Sequence, residues 1–116
     1  MKLKTMMAVV AIISVCSTNA MAKLKAFQNE KGQFGYKDES GLVVIQPQFD
    51  FAIAFSYGLA PVKIGTKWGY INEKGEVVIK PQFDHASFFT QDGFGLVELD
   101  GEYFFIDKVG KKVESE

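Results

Sequence analysis

The chain has 116 residues, 13 lysines against 14 acidic residues, no arginine, one histidine and one cysteine. A net charge of −1 without a basic cluster argues against a nucleic-acid partner. It also leaves no polybasic patch to hold the chain on anionic lipid, and the length suits one domain.

The first 22 residues read as a leader. Lys2 and Lys4 open it, Met6 to Val15 is an almost unbroken apolar run, and Ala20-Met21-Ala22 supplies the small residues a signal peptidase accepts. Cleavage is expected after Ala22. The run is too short for a membrane anchor, since spanning takes ~20 apolar residues. No transmembrane segment is therefore expected once the leader is removed. Cys16 lies inside it, and the β-branched Val15 just before it argues against lipidation. Without the leader the chain has no thiol, so no disulfide, thiolate metal site or cysteine nucleophile is expected. Its 11 lysines and 14 acids then give a charge of −3. The organisation read from sequence is thus a signal over 1–22 and a single domain over 23–116.

Residues 23–33 precede the first of a set of repeats. Residues 34–50 are FGYKDESGLVVIQPQFD and residues 68–84 are WGYINEKGEVVIKPQFD; 11 of 17 positions are identical without a gap. A third, incomplete copy begins at Tyr103 as YFFIDKVGKKV. The intervening residues align as well: Gly58 to Ile64 matches Gly93 to Leu99, the one-residue difference falling at Asp92. The unit is about 35 residues long, with starts near 34, 68 and 103, so the domain holds about two and a third copies.

Each unit has a β pattern. Trp68 to Ile71 is an aromatic and β-branched run, Asn72-Glu73-Lys74-Gly75 is a turn, and Glu76 to Ile79 returns as a second strand. Pro47 and Pro81 are expected to end the second strands, because proline donates no ladder hydrogen bond. Beyond them the period changes. Phe49, Ala52 and Phe55 are three apart, as are Phe83, Ala86 and Phe89, which predicts a short helical turn capped by Asp50 or Asp84. Ala60, Val62 and Ile64 then share one face of a further strand. Apolar residues fall on both faces of the strands, as in Tyr103 and Phe105 against Phe104 and Ile106, and Val77 and Ile79 against Val78. That pattern predicts strands covered on both sides. The expected fold is all-β: tandem hairpin-containing repeats stacked into a small sandwich, partial barrel or solenoid-like array.

The string KWGYINEKGEVVIKPQFD over 67–84 resembles the WG repeat of bacterial proteins, also called the KWG repeat. The resemblance runs over about 34–113. It implies β-rich tandem units, frequent in exported or envelope proteins, and it implies no biochemical activity. Phe34 replaces the tryptophan of the first copy, and Tyr103-Phe104 replaces Trp-Gly in the third. End copies of an array are commonly altered, having a neighbour on one side only.

Chemistry is sparse. His85 is the only histidine and stands where the first copy has Phe51, which marks a tolerant position. Asp84 and Ser87 flank it in sequence, but no nucleophile elbow surrounds a serine. A lone histidine without cysteine makes no transition-metal cluster. The acids Asp50 and Asp84, like Glu39 and Glu73, recur because the unit recurs, and turn capping explains them better than glycoside hydrolysis. Asp92, Asp100 and Asp107 form no calcium loop. Gly65, Gly93, Gly95 and Gly101 form no phosphate loop. No enzyme activity and no cofactor are expected.

Aromatics are the remaining candidates. Tyr36, Tyr70 and Phe105, with Phe34, Trp68 and Tyr103 beside them, form rows that suit a core better than a sugar platform. Positions that vary between copies suit a partner-facing surface: Tyr57 against Gln91, Phe51 against His85, and Ile53 against Ser87. The expectation is a monomeric, exported, non-catalytic interaction module, in the periplasm or outside the cell, that binds a protein or peptide of the envelope. A glycan or peptidoglycan ligand is the first alternative, and an exported inhibitor or immunity protein the second.

Overall fold

A computed structural model describes residues 23–114. The leader and cleavage site expected from sequence, and Cys16, lie outside the described residues. Those described form ten strands and no helix: β1 (Lys25–Gln28), β2 (Phe34–Lys37), β3 (Val43–Phe49), β4 (Phe51–Ala52), β5 (Ala60–Ile64), β6 (Lys67–Ile71), β7 (Val77–Phe83), β8 (His85–Phe89), β9 (Gly95–Leu99) and β10 (Glu102–Ile106). They pair antiparallel in three small sheets, ordered β1-β2-β3, β4-β5-β6-β7 and β8-β9-β10. The all-β class and the tandem repeats expected from sequence are what is found, and no barrel closes among the described residues.

The same turn is built four times. Asn29, Asp38, Asn72 and Asp107 each accept two backbone N–H bonds from residues two and four further on, at 2.9 to 3.0 Å. A side-chain carboxyl or amide oxygen thus stands in for a backbone carbonyl and fixes the turn. The first instance, Asn29-Glu30-Lys31-Gly32, joins β1 to β2. The segment before the first repeat is therefore a paired strand, with Lys25↔Lys37 and Gln28↔Phe34 in register. Its turn string is identical to Asn72-Glu73-Lys74-Gly75, the sequence signal that marks it.

The helical turn predicted after each proline is absent. Phe49 ends β3 and Ala52 ends β4, with Asp50 at a corner where the chain passes from the first sheet to the second. Phe83, Asp84 and Ala86 repeat this from β7 into β8. The corner adds one residue to the ordinary alternation. Phe49 and Ala52 therefore reach one core, with Phe55 packed against it, and Phe83 and Phe89 reach the other, with Ala86 packed against it. A spacing of three arises here from strand, corner and strand.

The prolines do not end their strands either. β3 runs through Pro47 and β7 through Pro81. The ladder slips at these points: Phe34↔Phe49 is followed by Tyr36↔Ile45, and Trp68↔Phe83 by Tyr70↔Ile79. Extra residues on the return strand make a bulge, which removes the ladder demand that proline cannot meet. Gly35 and Gly69 lie under these bulges. A Cβ on Gly69 would sit 2.5 Å from the Ile79 carbonyl oxygen and 2.7 Å from the Pro81 nitrogen, and Gly35 meets Ile45 and Pro47 at the same distances. Phe104 occupies the matching place in β10, where no such bulged strand follows among the described residues.

The three sheets stack as layers. Tyr36, Ile45 and Phe49 of the first sheet meet Ala52, Ala60, Val62 and Ile71 of the second in one core. Trp68, Tyr70, Ile79 and Phe83, from the other face of the second sheet, meet Phe89, Val97 and Ile106 of the third in another. Among the described residues, only the middle sheet is covered on both faces. Burying these side chains against the neighbouring layer supplies the main stabilisation, at about 25 cal/mol per Å² of apolar surface. The prediction of double coverage fails for the outer sheets. Tyr103 is 63% exposed and Phe105 49%, and even in the middle sheet the start of the edge strand β7, Val77 and Val78, is exposed.

Candidate functional site

The copy-variable residues do not gather into one site. Phe51 lies on β4, 48% exposed, stacked on Phe34 at 4.8 Å between ring centres and 6.0 Å from Trp68. Tyr57 is 57% exposed at the tip of a tight turn closed by the Ser56↔Leu59 bridge. Its φ of 49° is unusual for a residue with a side chain, and Gly58 beside it has φ 85°. Two positive φ values in succession make a type I′ turn. Gln91 is exposed in the loop between β8 and β9, His85 is exposed on β8, and Ser87 on the same strand is half-buried.

No catalytic set is assembled around His85. Its Nδ1 pairs with Glu98 Oε1 at 2.7 Å. The Ser87 hydroxyl donates to the Leu96 carbonyl and accepts from the Leu96 N–H. The Asp84 carboxylate faces elsewhere, accepting from Lys67 Nζ at 2.6 Å and from the Asp100 N–H at 2.9 Å. Among the described residues, no three His, Cys, Asp or Glu side chains cluster as a metal site would.

The repeated aspartates have a structural task. Asp84 reaches the turn of the β9–β10 hairpin, and Asp50 reaches the β5–β6 turn by accepting from the Gly65 N–H at 2.6 Å. Each corner aspartate thus pins the hairpin that follows. Lys67, and then the Asp100 N–H, hold the Asp84 carboxyl below its ordinary range, while Asp84 raises Lys67. Ser40 lowers Asp38 in its turn in the same sense.

The repeated tyrosines are buried ties between layers. The Tyr36 hydroxyl donates to the Ile53 carbonyl at 2.6 Å and the Tyr70 hydroxyl to the Ser87 carbonyl at 2.7 Å. Burial pushes both phenols well above their usual range, against the smaller opposing effect of that hydrogen bond. Phe55 and Phe89 meet these rings edge-on at 4.8 and 4.9 Å. Trp68 is only 9% exposed. The tryptophan that marks the repeat is thus a core residue, unavailable as a stacking platform for a sugar.

The open face of the third sheet is the aromatic one. Residues directly opposite on paired strands share a face. Phe105 pairs with Leu96, and Tyr103 with Glu98, which in turn pairs with His85. Two cross-strand rows therefore carry Leu96, Phe105, Tyr103, Glu98 and His85 on one side of the sheet. The other side carries Val97 and Ile106 into the core. The three apolar members of the open side are all exposed, Leu96 at 37%. Reading the strands as doubly covered hides this face in the sequence; its signal is the loss of the Trp-Gly pair in the third copy.

Comparison with known proteins gives the same unit boundaries. The family described as WG containing repeat matches residues 34–68 and 68–103. No curated protein and no solved structure matches the chain. The two matched spans cover more than half of the sequence and coincide with the hairpin, bulge and corner that recur in the fold, and the chain belongs to the WG-repeat family.

Proposed function

We propose that this protein is an exported, non-catalytic interaction module that binds a protein partner in the cell envelope through the open face of the third sheet. The observation that carries the reading is an apolar sheet face of Leu96, Tyr103 and Phe105 left in solvent, in a fold whose equivalent internal face is buried. Exposed aromatics grouped on a rigid sheet are characteristic of interface anchors. The leader-like first 22 residues support export. The pairing of His85 with Glu98, and of Asp84 with Lys67, supports a non-catalytic role. Burial of Trp68 favours a protein over a glycan as ligand.

The test is photo-crosslinking in the producing cell. A photoreactive residue replaces Tyr103 in the full chain, and Glu73, exposed in the β6–β7 turn of the middle sheet, serves as the control position. The expected result is a discrete, protease-sensitive adduct from position 103 only, in the envelope fraction, on a product whose first residue is Lys23. Adducts of equal yield from both positions would sink the docking face. An adduct whose added mass is removed by glycan hydrolases would transfer the role to the carbohydrate alternative. A product that keeps its first 22 residues and stays in the cytoplasm would end the export reading.

A further inference from the structure

The repeat shows what an open face of this kind receives. In the middle sheet, the face carrying Trp68 and Tyr70 is covered by the sheet that follows. A shift of one unit carries Trp68 to Tyr103, Tyr70 to Phe105, Pro61 to Leu96 and Lys63 to Glu98, as strand register also gives: Lys63↔Trp68 becomes Glu98↔Tyr103, and Pro61↔Tyr70 becomes Leu96↔Phe105. The open face of the third sheet is the counterpart of a face that inside the chain binds another layer.

The opposite end of the stack offers the matching surface. On the covered far side of the middle sheet stand Ala60, Val62 and Ile71. Register places Lys25, Phe27 and Lys37 at these positions in the first sheet, since Ala60↔Ile71 and Val62↔Gly69 become Lys25↔Lys37 and Phe27↔Gly35. The Lys37 ammonium lies 4.8 Å over the Phe27 ring. Two apolar positions have become lysines at one end, and a lysine position, Lys63, has become Glu98 at the other. The two changes are complementary in charge, and both fall on faces that inside the chain are buried between layers.

We infer that the open face of the third sheet docks the open face of the first sheet of a second copy, head to tail, so that the layer order continues from one molecule into the next. This rests on the reading of that face as a protein-binding surface, and it names the partner. The contact is heterologous, using two different patches, so each assembly keeps one free face of each kind and grows with concentration. Sequence had suggested a monomer; two unlike, complementary ends make a self-associating one.

Sedimentation velocity on the purified full-chain product, from micromolar to millimolar, reads the inference directly. The wild type is expected to shift from one protomer to multiples of its mass. Tyr103→Lys blocks one face, and the pair Lys25→Glu with Lys37→Glu blocks the other, so each blocked protein alone stays at one protomer. Their equimolar mixture is expected to return a species of two protomers and no larger, because each retains one intact face. Phe105→Lys serves as a second block of the first face should Tyr103→Lys alter the melting curve. A wild type that stays at one protomer throughout overturns the inference, and so does a mixture that stays monomeric. A monomeric wild type whose position 103 still crosslinks to a different protein overturns self-docking and leaves the protein-binding reading standing. A monomeric wild type without such an adduct overturns both.

Discussion

Replacing Gly69 by alanine adds one carbon, and the structure specifies what it meets. The new Cβ would lie 2.5 Å from the Ile79 oxygen, 2.7 Å from the Pro81 nitrogen and 2.9 Å from the Lys80 carbonyl carbon. Non-bonded carbon is comfortable at about 3.5 Å, so the overlap approaches ~1 Å. All three atoms are backbone, and no side-chain rotation relieves the clash. β7 must lift from β6 by a comparable distance, which takes ladder bonds of ~2.9 Å out of range. Overpacking alone costs about 1–3 kcal/mol, and each lost ladder bond adds about 1 kcal/mol. A loss of roughly 3–5 kcal/mol follows, against a total stability of ~5–15 kcal/mol. At about 4–8 °C per kcal/mol for a domain of this size, Tm should fall by at least ~12 °C. Gly69→Val should be worse. His85→Ala, which removes one exposed pair, should stay within about 0.5 kcal/mol. Thermal melts followed by circular dichroism compare the three. A Gly69→Ala melt indistinguishable from that of His85→Ala would refute the argument, because it would mean that the strand gives way without cost.

Other consequences can be checked on the same protein. Tyr36 and Tyr70 have folded pKa values raised by burial, so the neutral phenol belongs to the folded state. Their contribution is intact below the unfolded pKa of ~10 and is lost as pH rises above it. Absorbance at alkaline pH should show two of the four tyrosines ionising only together with unfolding, and Tyr70→Phe should weaken the fold by about 1 kcal/mol while reducing this alkaline loss. Four tyrosines ionising together before the fold melts would contradict it. The sign is opposite for Asp84, whose pKa is lowered by Lys67 and the Asp100 N–H. Its contribution is present above ~3.9 and disappears as pH falls through the depressed value. Asp84→Asn should flatten the acid limb of the stability curve at low salt, and an unchanged slope in denaturant melts across that range would count against it.

Much of the fold was legible because the repeat is nearly gapless. Asp38, Asn72 and Asp107 announce their turns, and the aromatic and β-branched runs before them announce strands. The corner was not legible. Phe49, Ala52 and Phe55 have helical spacing because one residue, Asp50, bends a strand between sheets, and local periodicity cannot separate that from a turn of helix. Nor was the path through Pro47 and Pro81, since the bulge that tolerates them depends on Gly35 and Gly69 across the ladder. The binding surface was hidden for a different reason. An apolar residue on each face of β10 looks like double burial, and sequence cannot say whether the second covering layer comes from the same molecule.

That ambiguity has a measurable form. Two covered faces protect β5 and β6, so their amides should exchange with solvent most slowly, near the global opening limit. β9 and β10 have one covered face and an open one carrying Tyr103 and Phe105. In dilute solution their amides should exchange faster than those of β5 and β6, as should those of β1 and β2. If a second copy supplies the missing layer, raising the protein concentration must slow exchange in the first and third sheets together, and in the middle sheet as well, because the global opening through which its amides exchange also breaks the contact. Stabilisation by a bound partner follows mass action, so ~100-fold excess over Kd corresponds to about 2.7 kcal/mol of added protection. Protection that grew in the third sheet and not in the first would indicate a like-with-like contact between two such faces. Protection that was concentration-independent, with β9 and β10 already as slow as β5 and β6, would show that an exposed aromatic face does not make the end layer weaker, and the layer-by-layer account of this fold would be wrong.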